Sequence, residues 1–330
     1  MTEPLRLGLL STAKITGAIL GGARVAAGAD VVAVASRDRA RARAFAAEND
    51  IPRAHGSYED LLADDGVEAV YIPLPNSLHL PWAVRALEAG KHVLCEKPLA
   101  RSAVDADDAF TVAEHAGRVL MEAFMWRHAP QTKRLTELVA EGAIGRLRLV
   151  RAAFSFFLDN PENVRLRPDV EGGALMDVGC YCVSGARLLA GEPERVYGEQ
   201  TLGPTGVDIV FAGTLRFPDE VVAQIDCGLV LPQRDELEAI GEDGSLFLDD
   251  PWHARQPVIE LRRGREVERI EVERADSYRL ELENLSDAIR GLAEPLLGRE
   301  DAVGNARVIE ALYRSAAEGA TETAVPPFAL

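Results

Sequence analysis

The first 124 residues alternate short apolar runs with longer segments of helical period. Residues 5–10 read as a strand, 14–27 as a helix, and 31–36 (VVAVAS) as a strand buried on both faces. Arg37-Asp38 then open an Ala/Arg-rich helix to about Asn49, with Asp38 placed to cap it. Ile51-Pro52 breaks this helix, and Ser57 starts a short one. Residues 69–72 form a strand ended by Pro73 and Pro75. A helix over 78–89 stops at Gly90, a strand follows at 92–96, a helix at 102–116 and a last strand at 119–123. Strands separated by helices at this spacing predict right-handed βαβ units and a parallel sheet. Ligands of such sheets bind beyond the C-terminal ends of the strands.

The pattern changes near residue 125. After a helix over 129–141, ended by Gly142, come strand-like runs at 147–157, 195–202, 208–217, 221–231, 236–240 and 245–248. A pair at 258–262 and 266–272 follows. Pro218-Asp219 and Gly264 are turn signals that join neighbours as hairpins. Two helices, 280–290 and 301–317, close the chain. The expected fold is therefore α/β in class. An N-terminal domain over 1–124 carries a Rossmann-type parallel sheet, and an α+β domain over 125–330 carries a large, open, mostly antiparallel sheet.

Composition narrows the function. The 330 residues carry 36 basic and 53 acidic side chains, a formal charge of −17. Such a chain does not offer the basic field that nucleic acid or an anionic membrane surface requires. No run approaches the roughly 20 apolar residues of a membrane span. Met1-Thr2-Glu3-Pro4 lacks the basic start of a secretory signal. Cys95, Cys180, Cys182 and Cys227 form no CxxC pair and no zinc-finger spacing. They read as reduced, buried thiols of a cytoplasmic protein, and no metal site is expected.

Three segments carry candidate chemistry. Ser11-Thr12-Ala13-Lys14-Ile15-Thr16 stands where a dinucleotide-binding GxGxxG would fall. Its small residues still let a pyrophosphate approach the helix N-terminus, although an ordinary βα turn has the same pattern. Ser36-Arg37 ends the second strand, where NAD-binding sheets usually place Asp or Glu. A hydroxyl and a guanidinium there suit a ribose 2′-phosphate, the alternative being a solvated arginine at a helix start. Gly172-Gly173 precede a helical stretch in which Asp177 and Tyr181, four apart, face the same way. Two glycines permit a tight entry beside a backbone or a ligand. The alternative is a buried helix holding one Asp–Tyr pair.

Glu96-Lys97-Pro98 after the strand at 92–96, Pro75-Asn76-Ser77-Leu78-His79 and Asp177-Val178-Gly179-Cys180-Tyr181 together resemble the glucose–fructose oxidoreductase/inositol dehydrogenase/rhizopine-catabolism (Gfo/Idh/MocA) family. The resemblance covers nearly the whole chain, with Ser11, Ala13 and Thr16 replacing the usual glycines. It implies that Lys97 is the catalytic lysine, that Asp177 polarises or orients, and that Tyr181 occupies the proton-transfer position. It also implies cofactor contacts from Ser11, Thr12, Ala13, Lys14, Ile15, Ser36, Arg37, Pro75, Asn76, His79, Glu96, Lys97, Trp126 and Arg127. Lys97, Trp126, Phe154, Asp177 and Tyr181 are the substrate-facing candidates. The expected cofactor is NADP rather than NAD. Tyr181, with Glu122–His128, resembles the branch of aldose dehydrogenases and trans-dihydrodiol dehydrogenases.

The implied reaction moves a hydride between the nicotinamide and a sugar carbon, an aldose or a cyclic polyol. Free Tyr and free Lys titrate near 10, too high for a base at neutral pH unless each perturbs the other. Tyr181 as proton carrier with Lys97 tuning it, and the reverse, both remain open, and Asp177 would anchor Lys97 or a sugar hydroxyl. The competing readings are a trans-dihydrodiol dehydrogenase and a catalytically silent NADP-binding regulator. A sheet with one face free of helices predicts a homodimer or homotetramer formed through it.

Overall fold

Leu5, Leu7 and Leu9 have no exposed surface, and the strand they build, β1 (Leu5–Leu9), lies inside a six-stranded parallel sheet. The computed structural model describes residues 3–327. In chain order, β1 is followed by α1 (Thr16–Val25), β2 (Ala29–Ala35), α2 (Arg39–Glu48), β3 (Arg53–His55), α3 (Tyr58–Leu62) and β4 (Ala69–Ile72). Next come α4 (His79–Glu88), β5 (His92–Glu96), α5 (Ala103–Ala116) and β6 (Leu120–Ala123). The strand order β3-β2-β1-β4-β5-β6 reverses direction between β1 and β4, the switch point at which doubly wound sheets bind ligands.

Local chemistry sets the boundaries. Asp38 accepts hydrogen bonds from the Ala40 and Arg41 N–H groups and caps α2 as expected. Ser57 does the same for α3 through Asp60 N–H. Gly90, at φ +78°, ends α4. β3 is an element that the apolar pattern does not announce. Arg53-Ala54-His55 is half-buried and becomes a strand by pairing in register with Ala33–Ala35.

The chain continues with α6 (Pro130–Ala140), β7 (Leu147–Phe157), α7 (Cys180–Ala190), β8 (Arg195–Leu202), β9 (Asp208–Arg216), β10 (Val222–Gly228) and β11 (Val230–Gly241). It ends with β12 (Ser245–Asp249), β13 (Val258–Arg263), β14 (Glu266–Glu271), α8 (Ser277–Ile289), α9 (Arg299–Ala317) and β15 (Thr323–Ala324). The second sheet has nine strands in the order β14-β13-β12-β11-β7-β10-β9-β8-β15. Among the described residues, only the β7–β10 pair of this sheet is parallel. The run at 221–231 is two strands rather than one. Buried Leu229 interrupts it and donates its N–H to Ile209 O at 2.9 Å. Both expected hairpins form, at Pro218-Asp219 and at Gly264. Across this sheet Gln224, Arg151, Glu238, Phe247, Glu260 and Arg269 sit directly opposite one another on one face, and none is buried.

Two compact units result. The first comprises the chain up to Ala100, Val104–His128 and Asp276–Ala302; the second comprises Arg101–Ala103, Ala129–Ala275 and the chain from Val303 on. Asp276–Ala302 thus returns to the first unit, which a division into 1–124 and 125–330 does not include. The physical reason is α8 lying on α1. A Cβ on Gly22 would stand 2.8 Å from Arg279 N, so the two helices pack backbone to backbone there. Among the described residues no helix is long and apolar enough to cross a membrane.

Candidate active site

In the first unit, the candidate residues gather at the C-terminal strand ends. Ser11, just beyond β1, accepts the Ala13 N–H at 3.1 Å and donates to Pro73 O at 3.4 Å, tying the turn after β1 to the end of β4. The expected helix over 14–27 is shorter, starting at Thr16 and leaving Thr12, Ala13, Lys14 and Ile15 as an open turn. No side chain caps α1, and no acid stands in its first turn. Such an end favours an anion through its dipole.

At the end of β2, Ser36 is buried and its Oγ accepts the Asp38 N–H at 3.2 Å. That hydroxyl therefore orders the turn that presents Arg37, which is exposed. Asp38, the acid next to Arg37 in sequence, has its carboxylate engaged in the cap. Arg41, which the sequence pattern did not single out, reaches from α2 to Thr12 O at 3.5 Å. Arg37 and Arg41 both lie close enough to Tyr58 to favour its ionised form, although burial leaves the phenol above its ordinary value. Two guanidiniums thus border one rim of the sheet, and Arg41 spans two of the strand-end turns.

His79 is buried, with both ring nitrogens facing backbone carbonyls. Its Nδ1 lies 2.9 Å from Pro98 O and its Nε2 2.7 Å from Leu74 O. It staples the turn after β4 to the Lys97-Pro98 turn. Burial pushes the imidazole down to about 4, against the two carbonyls, which favour its cation. Pro75 and Asn76 open a short 3₁₀ turn between those anchors.

Glu96 fixes the backbone of Lys97 from below. Tyr71 Oη donates to Glu96 Oε1 at 2.6 Å, and Lys97 N–H donates to Glu96 Oε2 at 3.3 Å. Burial and the Glu96 carboxylate hold the Tyr71 phenol well above its ordinary value. Trp126 is 1% exposed and lies in the core of the first unit. Arg127 forms an ion pair with Asp301 at 2.9 Å, with both side chains largely covered. Its expected cofactor role thus competes with a pairing that no motif announces, because Asp301 lies far along the chain on α9.

In the second unit, Gly172 and Gly173 perform the expected tight entry. A Cβ on Gly172 would stand 2.4 Å from Arg165 O, and one on Gly173, at φ +134°, 2.2 Å from Asp208 Oδ1. Asp208 accepts Leu175 N–H at 2.7 Å and Tyr313 O–H at 2.9 Å, which pins the start of the segment. The stretch is not one α-helix. Leu175–Gly179 is a π-helical turn and α7 begins only at Cys180. π-turns are rare and recur at functional sites.

Asp177 receives the Arg165 Nε–H at 2.5 Å. Arg165 sits in a single 3₁₀ turn, Val164–Leu166, capped by Asn163 and too short for any periodicity to mark it. Tyr181 is 8% exposed and meets the Phe154 ring edge-on at 5.3 Å. Trp252, also unforeseen, lies 5.8 Å from Tyr181 and stacks near Phe154 at 6.2 Å. The second unit therefore brings Phe154 and Tyr181 together in an aromatic cluster and holds Asp177 by a guanidinium. Lys97 belongs to the first unit.

Comparison with known proteins agrees with the two-sheet fold. The oxidoreductase-family NAD-binding Rossmann fold matches residues 15–124, and the GFO/IDH/MocA C-terminal domain matches residues 132–247. The chain is 42% identical to D-xylose 1-dehydrogenase (NADP(+)) 2 of Haloferax volcanii, over 96% of this chain and 98% of that protein. It is similar to the structure of KijD10, a 3-ketoreductase of Actinomadura kijaniata solved with NADP and TDP-benzene. That likeness has a TM-score of 0.90 and 31% identity, and covers 95% of this chain and 98% of that one. The aldose–aldose oxidoreductase of Caulobacter crescentus, solved with glycerol, is similar at a TM-score of 0.91 and 28% identity, covering 98% and 100%.

Proposed function

Because this chain belongs to the Gfo/Idh/MocA family of NAD(P)-dependent oxidoreductases, we propose that it is an NADP-dependent sugar dehydrogenase or reductase acting on an aldose or cyclic polyol. The observation that carries the cofactor choice is the rim at the end of β2. Exposed Arg37 and Arg41 stand there, while Asp38 is occupied as a helix cap. Guanidiniums bind a 2′-phosphate by charge-assisted hydrogen bonds, whereas a free acid would repel it. The turn over 11–15 and the uncapped start of α1 fit a pyrophosphate.

The nicotinamide, when bound, supplies the hydride acceptor or donor. In this reading the Lys97 Nζ holds the substrate oxygen, and Tyr181 Oη takes or returns its proton. Tyr71 and Glu96 set the Lys97 backbone, and His79 clamps the next carbonyl, at Pro98. Arg165 orients Asp177 toward a substrate hydroxyl, and the Phe154–Tyr181–Trp252 rings offer a face for the apolar side of a sugar ring. The open polar face of the nine-stranded sheet supports a homodimer or homotetramer assembled through it.

The test is a titration of NADPH and NADH by fluorescence, on the wild type and on Arg37→Asp. The reading expects tighter NADPH binding that weakens at least tenfold in the variant while NADH changes little. Equal affinities for both cofactors in the wild type would remove the phosphate assignment.

A further inference from the structure

Asp235 on β11 and Asp250 and His253 in the turn after β12 converge within the second unit. His253 Nδ1 lies 3.0 Å from Asp235 Oδ2 and 3.2 Å from Asp250 Oδ1. A ring nitrogen offers one hydrogen or one lone pair in its plane, so it serves one of these carboxylates well and not both. The other Asp235 oxygen, Oδ1, is buried and meets no hydrogen-bond partner, on a side chain that is 8% exposed. Such an orphaned acceptor is costly in a protein interior. Acceptors outnumber donors in this cluster, and a cation is what its chemistry lacks.

We propose that Asp235, Asp250 and His253 bind one first-row divalent metal ion, of which zinc is the class representative. Ligands about 2.1 Å from a common ion stand about 3.0 Å apart at a right angle and about 3.4 Å apart at the tetrahedral angle. The observed 3.0 and 3.2 Å fall in that interval. The backbone prepares the site, since Asp250 N–H donates to Asp235 O at 2.8 Å and Ala254 N–H donates to Asp250 O at 3.0 Å. The remaining Asp250 oxygen is steadied by Arg255 N–H at 2.9 Å. Asp250 and His253 are 18% and 31% exposed, so an ion has a path in and water can complete its sphere. The exposed Arg255 guanidinium, 3.7 Å from Asp250, is the group a cation would displace.

The site bears on the aromatic cluster. His253 meets the Phe154 ring edge-on at 5.8 Å, and Phe154 in turn touches Tyr181. A metal on Nδ1 would lock the imidazole and with it the ring beside Tyr181, although its binding is independent of the hydride-transfer reading. The test uses the untagged full chain, stripped with EDTA and desalted, then loaded with Zn²⁺. Elemental analysis after gel filtration is expected to find one zinc per chain, and Zn²⁺ is expected to raise the melting temperature. His253→Gln and Asp235→Asn are expected to weaken binding at least tenfold and to abolish the thermal shift. Co²⁺ loading of the wild type, read by its visible absorption, decides the matter even if a variant fails to fold. Wild-type protein that retains no stoichiometric Zn²⁺ or Co²⁺, or a folded His253→Gln that binds as tightly as wild type, would overturn the proposal.

Discussion

Glu281, on α8, is 1% exposed, and neither of its carboxyl oxygens meets a hydrogen-bond partner. Burial, and secondarily the nearby Glu96 carboxylate, hold its carboxyl well above the ordinary value of 4.5. The folded chain therefore keeps a proton that the unfolded chain releases above that value. The resulting stability is fully present below pH 4.5 and is lost as pH rises toward the folded value. Each pH unit in that window costs about 1.4 kcal/mol. If the proton is kept throughout, the loss between pH 4.5 and pH 7 reaches about 3 kcal/mol. Glu281→Gln is neutral at every pH and nearly the same shape as the protonated acid. It should therefore be more stable than wild type at pH 7, by at most about 3 kcal/mol, with the gap shrinking to nearly nothing at pH 4.5. Urea denaturation at pH 4.5, 5.5 and 7, read by circular dichroism, measures this gap directly. A gap independent of pH, or a variant less stable than wild type at pH 7, would refute the argument.

Three further outcomes follow from the site. Gly173→Ala adds a Cβ 2.2 Å from Asp208 Oδ1 at φ +134°, and should cost about 3 kcal/mol in urea denaturation; a cost under about 1 would mean the entry can relax. Arg165→Met loosens Asp177 and should lower kcat/KM about tenfold or more, with the melting temperature little changed. An unchanged kcat/KM would remove Arg165 from the positioning machinery. Ser36→Ala frees the Asp38 N–H and loosens the turn presenting Arg37, so the KM for NADP should rise several-fold with little effect on kcat.

Both sheets were legible because their strands are long apolar or alternating runs. Residues 69–72 and 92–96 are buried enough that no other pattern competes. β3 was not legible, because a half-buried Arg-Ala-His is a strand only by virtue of its neighbour β2. Nor was the return of α8 to the first unit, since the Gly22–Arg279 approach joins distant parts of the chain. The Gly172-Gly173 entry was legible from composition, whereas the π-turn was not, because an α-helical and a π-helical register share the same side chains. Arg165, Arg41 and Trp252 escaped notice for a common reason. Each acquires its partner through tertiary contact and carries no motif of its own. The Asp235–Asp250–His253 cluster is hidden in the same way, its members brought together by the β11–β12 hairpin.

The central claim is that this chain moves a hydride between NADP and a sugar. The most direct measurement is absorbance at 340 nm with NADP⁺ against D-xylose, D-glucose, other aldoses, inositols and a trans-dihydrodiol, with Lys97→Ala and Tyr181→Phe beside the wild type. The account predicts NADPH formation with an aldose or cyclic polyol, slower with NAD⁺, and a loss of at least 100-fold in each variant, on the order expected for a lost acid–base group. Turnover of the dihydrodiol alone, or sugar turnover that survives Lys97→Ala, would contradict it.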